Sequence, residues 1–199
     1  PPRSTQSRSS AASDVYKRQA LLAGDWLAVH PFVLLAEQYP AELATALVRT
    51  LGQAALDMVK GQAADIEGEQ RPIQASLVDY IHLNKTARLI EAACRMGGLC
   101  AGASDRQLAA LGEFGSHLGL AFQISDDLLD VTGSTELLGK RAGKDAVAAK
   151  QTYPAAHGLG KSRERARQEV ATAVAALQPF GEAASHLHAL AEYVINRDR

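Results

Sequence analysis

Aromatic residues are scarce in this chain, making up 5% of 199 residues with a single tryptophan. Alanine and leucine are prominent and β-branched material is sparse, so the composition favours helices and leaves little from which to build a sheet. Cysteine is nearly absent too. Cys94 and Cys100 are the only two, and their spacing fits neither a Cys-x-x-Cys pair nor a zinc-ligand pattern. That excludes a disulfide scaffold and leaves reduced, helix-packed thiols of the kind expected in a cytoplasmic protein. There is no excess of charge of either sign: 21 basic residues face 22 acidic ones, for a net charge of −1. Nothing therefore points to nucleic acid or to an acidic surface partner, and any anion site must come from local geometry. Long apolar runs are missing as well. The most apolar stretch, residues 21–36, is interrupted by Asp25, His30 and Pro31 and is too short for a membrane span. No small-residue cleavage pattern follows it, as a signal peptide would require, and no internal repeat is visible.

What is present is enough for one domain with a full core, since 47% of the residues are hydrophobic. Residues 1–19 stand apart. They are polar, of low complexity, without periodicity and without an initiating methionine, which sets them down as a disordered or artefactual segment fused near Ala20. Over residues 20–199 the apolar spacing predicts helices at about 40–66, 73–98, 104–131, 160–177 and 181–197. Pro40 suits a first helical turn, Arg71-Pro72 breaks the chain, and Ser104-Asp105 offers an N-cap. Pro179 and Gly181 divide the last two helices. The expected fold class is an all-α antiparallel helical bundle.

Leu108, Leu111, Gly115, Leu118 and Phe122 recur three and four apart, marking the inward stripe of one helix. Asp126 and Asp130 continue that stripe where further leucines would be expected, with Gln123 and Asp127 beside them. Charge on an interior stripe is costly unless it is compensated. A divalent cation is the natural compensator. Magnesium takes oxygen ligands, keeps several waters and completes its shell with substrate phosphates, so the spacing predicts a site open to a phosphorylated ligand. An ordinary solvated acidic helix end is the bland alternative. Two other helices turn polar groups inward. Lys85 interrupts the stripe of Leu77, Ile81 and Leu89, either snorkelling to its edge or reaching into the same cavity as the aspartates. Gln62 and Asp65 extend the stripe of Leu51, Ala55 and Met58. Three such helices are better explained by a shared polar cavity than by three accidents.

Beyond Asp130 the turn formers Val-Thr-Gly-Ser-Thr end the helix. There follow Gly139-Lys140-Arg-Ala-Gly143-Lys144-Asp145 and then Lys150-Gln-Thr-Tyr153-Pro154. Glycine beside lysine suits close approach to an anion, although the spacing is not that of a Walker loop. In order and spacing, Phe-Gln-x-x-Asp-Asp-x-x-Asp, Gly-Lys-x-x-Gly-Lys-Asp and Lys-x-Thr-Tyr-Pro resemble the second aspartate-rich region of trans-isoprenyl diphosphate synthases. The nearest likeness is to bacterial farnesyl and geranylgeranyl diphosphate synthases. The resemblance covers roughly residues 20 to 199 and includes Gly24-Asp25-Trp-Leu, Gly61-Gln62 with Asp65, Asn84-Lys85-Thr86 and the closing segment 190–199.

That resemblance implies a prenyltransferase that joins isopentenyl diphosphate to an allylic diphosphate with Mg2+. On it, Asp126, Asp127 and Asp130 are metal residues, with Asp127 in a supporting place. Lys85, Lys140 and Lys150 hold diphosphate. Lys85, Thr86 and Gln123 are catalytic, the last two offering oxygen dipoles to the developing cation, and Lys144 has no clear place. It implies a homodimer when complete. The sequence departs from the family at one point: no second aspartate-rich motif with a following Arg-Arg precedes residue 126. The expectation is that the N-terminal helices are missing and that the 199 residues alone turn over little or nothing. Product length is hidden by the same gap. A non-catalytic partner subunit of a heteromeric synthase is the alternative, and a class I terpene cyclase is disfavoured by the Gly-Lys loop behind Asp130.

Overall fold

A computed structural model of the chain describes residues 6–69, 71–138 and 150–197, with backbone alone at 6–15 and 133–138. All regular structure among them is helical. In chain order it comprises α1 (Gln6–Gln38), α2 (Ala41–Gly68), α3 (Ala75–Ile81), a π-helical turn (His82–Ala87) and α4 (Arg88–Cys100). Then come α5 (Asp105–Leu138), α6 (Tyr153–His157), α7 (Leu159–Ala176), a 3-10 turn (Gln178–Ala184) and α8 (Ser185–Asn196). The fold is all-α, as the composition leads one to expect.

Several boundaries differ from the periodicity reading. The expected helix over 73–98 is built in three pieces around a widened turn, and α5 runs on to Leu138. The helix expected over 181–197 begins at Ser185, and the 3-10 turn before it kinks at Gly181, whose φ of 55° is a conformation open to glycine. The largest difference lies at the front, where a helix begins at Gln6 inside the segment expected to be disordered. The alanines, arginines and lysine interspersed there are compatible with helix even without an apolar face.

The chain divides into two compact units, Pro1–Val48 and Arg49–Arg199. In the first, Leu35, Ala44 and Leu47 are buried, whereas Leu21, Leu22, Trp26 and Leu27 are exposed. Trp26 stacks on His30 with ring centroids 4.2 Å apart. By length and composition alone Tyr16–Gln38 could cross a membrane. It is longer than the 21–36 stretch because the helix continues on both sides, but Asp25 in its middle would be costly in a bilayer.

The second unit is organised around α5. One face of α5 supplies Leu111, Phe114, Leu118 and Ala121 to a core completed by Val170 and Ala173 of α7 and Leu177 at its C-cap, with Ala184, Ala191 and Val194. The 3-4-3 spacing of the α5 residues is that of a helix seam, and full burial of Phe114 contributes about 1.5–3 kcal/mol. The other face is made of glycine. A Cβ on Gly115 would stand 2.7 Å from the Glu91 Cα, and one on Gly119 would stand 2.4 Å from the Ala87 Cα. Backbone therefore packs on backbone, which brings the π-helical turn against α5. Ser104 caps α5 as expected: the Gln107 N–H donates to Ser104 Oγ at 3.4 Å, and Gln107 Oε1 accepts from the Ser104 N–H at 2.9 Å.

The two cysteines sit in unlike places. Burial pushes the Cys94 thiol up to about 11, while Cys100 is exposed at the end of α4. At pH 8 only about one Cys94 in a thousand would be thiolate, the reactive form. Iodoacetamide should thus label Cys100 long before Cys94 in the folded protein. Peptide mass spectrometry reads this directly, and equal labelling rates would show that α4 does not pack as described.

Candidate active site

A polar cavity of about 240 Å3 opens where α2, the π-helical turn, α5 and the segment before α6 meet. From α5 come Gln123, Asp126, Asp127 and Asp130; from the turn, His82 and Lys85. The end of α2 supplies Asp65 and Glu69, and the segment before α6 supplies Lys150, Gln151 and Thr152. The shared cavity inferred from the inward polar stripes thus has Asp65, Lys85 and the α5 carboxylates in its wall. Thr86 follows Lys85 on the same turn, and its Oγ1 donates to Gln123 Oε1 at 2.7 Å. Lys140 and Lys144 lie outside the described residues.

The widened turn explains how these groups reach one place. In a π-helix the ladder runs from i to i+5, and His82 and Ala87, five apart, are the buried residues of this turn. Lys85 is left half-buried, and its Nζ meets Asp65 Oδ2 at 2.6 Å. Asp65 thereby neutralises the cation, and a diphosphate would compete for it. Gly61, one turn earlier on α2, is what allows that helix to lie against the Lys85 backbone.

The three aspartates have different surroundings. Asp126 is half-buried and paired with Arg197, whose guanidinium also lies 4.1 Å from the Phe122 ring centroid. Burial pushes the Asp126 carboxyl up; Arg197 opposes this, and Asp130 and Asp127 add to it. Asp130 is exposed at the cavity rim. Asp127 turns inward. Its Oδ1 accepts from Gln123 Nε2 at 3.3 Å, and its Oδ2 meets His82 Nε2 at 3.0 Å and accepts from the Tyr153 N–H at 2.8 Å. Among the described residues no group of three or more His, Cys, Asp or Glu side chains is placed to hold a metal ion by itself. The donor set nevertheless fits an open magnesium site. Asp126 and Asp130 stand one helical turn apart on a cavity shared with Lys85 and Lys150, and magnesium typically takes one or two carboxylates and finishes its shell with phosphate and water.

A family model, that of polyprenyl synthetase, matches residues 7–193. The chain belongs to the polyprenyl synthetase family. The match begins inside the 1–19 segment, as does α1. The family includes a dimethylallyltranstransferase of Fischerella ambigua, 40% identical over 184 residues that make up 89% of this chain and 53% of that protein. Farnesyl diphosphate synthase of Geobacillus stearothermophilus is 38% identical over 185 residues, 90% of this chain and 62% of its own. A geranyltransferase of Helicobacter pylori, solved with magnesium and isoprenyl diphosphate, matches with a TM-score of 0.72 at 29% identity, over 89% of this chain and 59% of that one. The chain spans between half and two thirds of the length of these polyprenyl synthetases.

Four residues at the site go beyond the sequence expectation: Glu69 at the end of α2, His82, Gln151 and Arg197. His82 lies off the expected stripe, because the four-residue spacing through Ile81 and Lys85 assumes an unbroken α-helix. Gln151 is 4% exposed and bonds only to backbone, which side-chain patterning does not reveal. Arg197 reaches Asp126 across 71 residues. Its one sequence signal was its place after the closing apolar helix.

Proposed function

We propose that this chain is the metal- and diphosphate-handling part of a short-chain prenyltransferase, which condenses isopentenyl diphosphate with an allylic diphosphate towards a farnesyl or geranylgeranyl product. The observation that carries the reading is one cavity walled by Asp126, Asp130, Lys85, Lys150 and Gln123 in a member of the polyprenyl synthetase family. Magnesium bound there would act as a Lewis acid on the leaving diphosphate. Asp126 and Asp130 would hold it. For Asp126 this means exchanging Arg197 for the metal. Lys85 would likewise exchange Asp65 for phosphate oxygen, joined by Lys150 and, from outside the described residues, Lys140. As the allylic C–O bond breaks, the diphosphate departs with the electron pair. The isopentenyl double bond then forms the new C–C bond, and a proton is lost. Thr86 and Gln123 place oxygen lone pairs near the developing positive charge, where fixed dipoles act more strongly than water.

The test is calorimetric titration of the chain with inorganic pyrophosphate, with and without magnesium. Binding should require magnesium and weaken roughly tenfold in Asp126→Asn and in Lys85→Ala. Binding that ignores magnesium, or survives both substitutions unchanged, would remove the proposal. Because one aspartate-rich motif stands where the reaction calls for two, turnover of both diphosphates by these 199 residues should be slight or nil. Incorporation of labelled isopentenyl diphosphate at an ordinary rate would refute that part alone.

A further inference from the structure

His82 is 2% exposed, yet no family-like motif contained it, and its Nδ1 is buried without a hydrogen-bond partner. A histidine is not kept there for its second nitrogen. Its ring stacks on Tyr153 with centroids 6.0 Å apart, and its one polar contact runs through Nε2 to Asp127, itself 7% exposed. An ionised carboxylate can only accept, so each of its partners must donate. His82 Nε2 therefore bears a proton and donates it to Asp127 Oδ2. By the same rule the Gln123 group facing Asp127 must be the amide nitrogen. The Gln123 carbonyl then faces Thr86, whose hydroxyl must spend its proton on Gln123 Oε1.

We propose that His82 and Asp127 are positioning residues which fix the amide orientation of Gln123 and, through it, the polarity of the Thr86 hydroxyl. The inference rests on the reading that Thr86 and Gln123 serve the developing cation. The donors run one way, from His82 and Gln123 into Asp127 and from Thr86 into Gln123. At the substrate end this leaves oxygen lone pairs in place of protons. Such polarity suits a carbocation, whereas a reversed Gln123 would point N–H groups at Thr86 and free the hydroxyl proton to face positive charge. Asp127 on this account is a structural acceptor, in keeping with its being the most buried of the three aspartates that line the cavity. Its third bond, from the Tyr153 N–H, ties α6 to the same carboxylate. The π-helical turn supplies the geometry, because it holds His82 and Thr86 on one short stretch facing α5.

The experiment is NMR of the whole chain carrying 15N-labelled glutamine, with the Gln123 carboxamide identified by its loss in Gln123→Glu. In the unaltered protein its N–H signals should be shifted from solvent-exposed glutamines and exchange at least roughly tenfold more slowly. Asp127→Asn is nearly isosteric but brings its own N–H donors, so it should shift those signals and abolish the slow exchange. His82→Leu should do so in part. His82→Gln, whose amide can place a donor near the position of Nε2, should restore the pattern. Circular dichroism and melting confirm folding of each variant, and should His82→Leu unfold, the unaltered protein and Asp127→Asn still decide. An unprotected Gln123 carboxamide in the unaltered chain overturns the proposal, as does an unchanged one in folded Asp127→Asn. A protected carboxamide in a chain that binds no pyrophosphate would instead sink the assignment of function and leave the relay standing.

Discussion

Gly61→Ala should destabilise the protein by about 2 kcal/mol, although alanine is the better helix former. A Cβ at this position would lie 2.3 Å from the Lys85 nitrogen, 2.8 Å from its Cα and 2.9 Å from the Asn84 carbonyl carbon. All three are backbone atoms, so no rotamer change relieves the clash. The two elements have to separate. Overpacking of this kind costs about 1–3 kcal/mol, with the upper end apt for rigid neighbours, and the helix preference of alanine over glycine offsets about 0.5–1 kcal/mol. At this chain length a net loss of about 2 kcal/mol lowers the melting temperature by roughly 4–8 °C. The same separation would pull Lys85 from Asp65, four residues beyond Gly61 on the same helix, so pyrophosphate binding should suffer with stability. Gly97→Ala on α4 is the control of opposite sign, since nothing lies within 4 Å of its Cβ. It should raise the melting temperature by a few degrees. Should Gly61→Ala instead melt at or above the parent temperature, the tight seat of α2 on the π-helical turn is wrong.

That pair of glycines also shows where sequence reading succeeds and where it stops. The α5 stripe was legible because Leu111, Gly115 and Leu118 obey a regular helical period, and all three are buried. The period did not reveal that α5 is buried more widely. Phe114, Ala121 and Ile124 are buried too, since α5 has helices on more than one side. On α2 the buried seam lies one position from the expected stripe. Beyond Ala44 the buried residues are Leu47, Ala54, Gly61 and Gly68, each seven from the next, and Asp65 sits beside that seam. Glycine carries no hydropathy signal, so a seam built partly of glycine is weak in any apolar count. Close backbone approach is nevertheless what brings Asp65 within reach of Lys85.

The candidate site was legible in its chemistry and less so in its pairing. Carboxylates on an inward stripe and a lysine interrupting another stripe announced a polar cavity, and Asp126, Asp130, Lys85 and Lys150 do line one. What pairs with what was hidden, because each pairing spans a distance in sequence that no local period encodes: Lys85 with Asp65, Arg197 with Asp126, Tyr153 with Asp127. His82 was hidden for a local reason. One residue added to a helical turn rotates everything after it, and nothing in the residues 82–87 announces the addition.

Gln151 carries the second large effect. Its side chain is the stitch between the end of α2 and the segment leading to α6. Oε1 accepts from the Gln74 N–H at 3.1 Å, while Nε2 donates towards the carbonyls of Gly68, Arg71 and Pro72 at 3.1, 3.2 and 3.3 Å. Two protons shared among three acceptors leave no slack. Gln151→Leu keeps similar bulk but strands these backbone groups, each costing about 1–3 kcal/mol when buried, so a loss of about 3 kcal/mol is expected. Gln151→Glu should be worse at neutral pH. Its carboxylate can still accept from Gln74, but it sets negative charge against three carbonyl oxygens in a buried place. Acidification should then recover part of the loss, because the protonated carboxyl regains an O–H to donate. The sign is fixed: a carboxyl whose folded-state pKa is raised stabilises the fold below its ordinary value and forfeits this as pH rises through the folded value. Urea titrations of the parent, Gln151→Leu and Gln151→Glu at pH 5 and pH 7.5 would display it. If Gln151→Glu matched the parent at pH 7.5, the donated bonds could not be what holds this segment. If the ordering is as expected, the same bonds also fix the functional side of the cavity, since Lys150 precedes Gln151 and the Tyr153 N–H that anchors Asp127 follows two residues later.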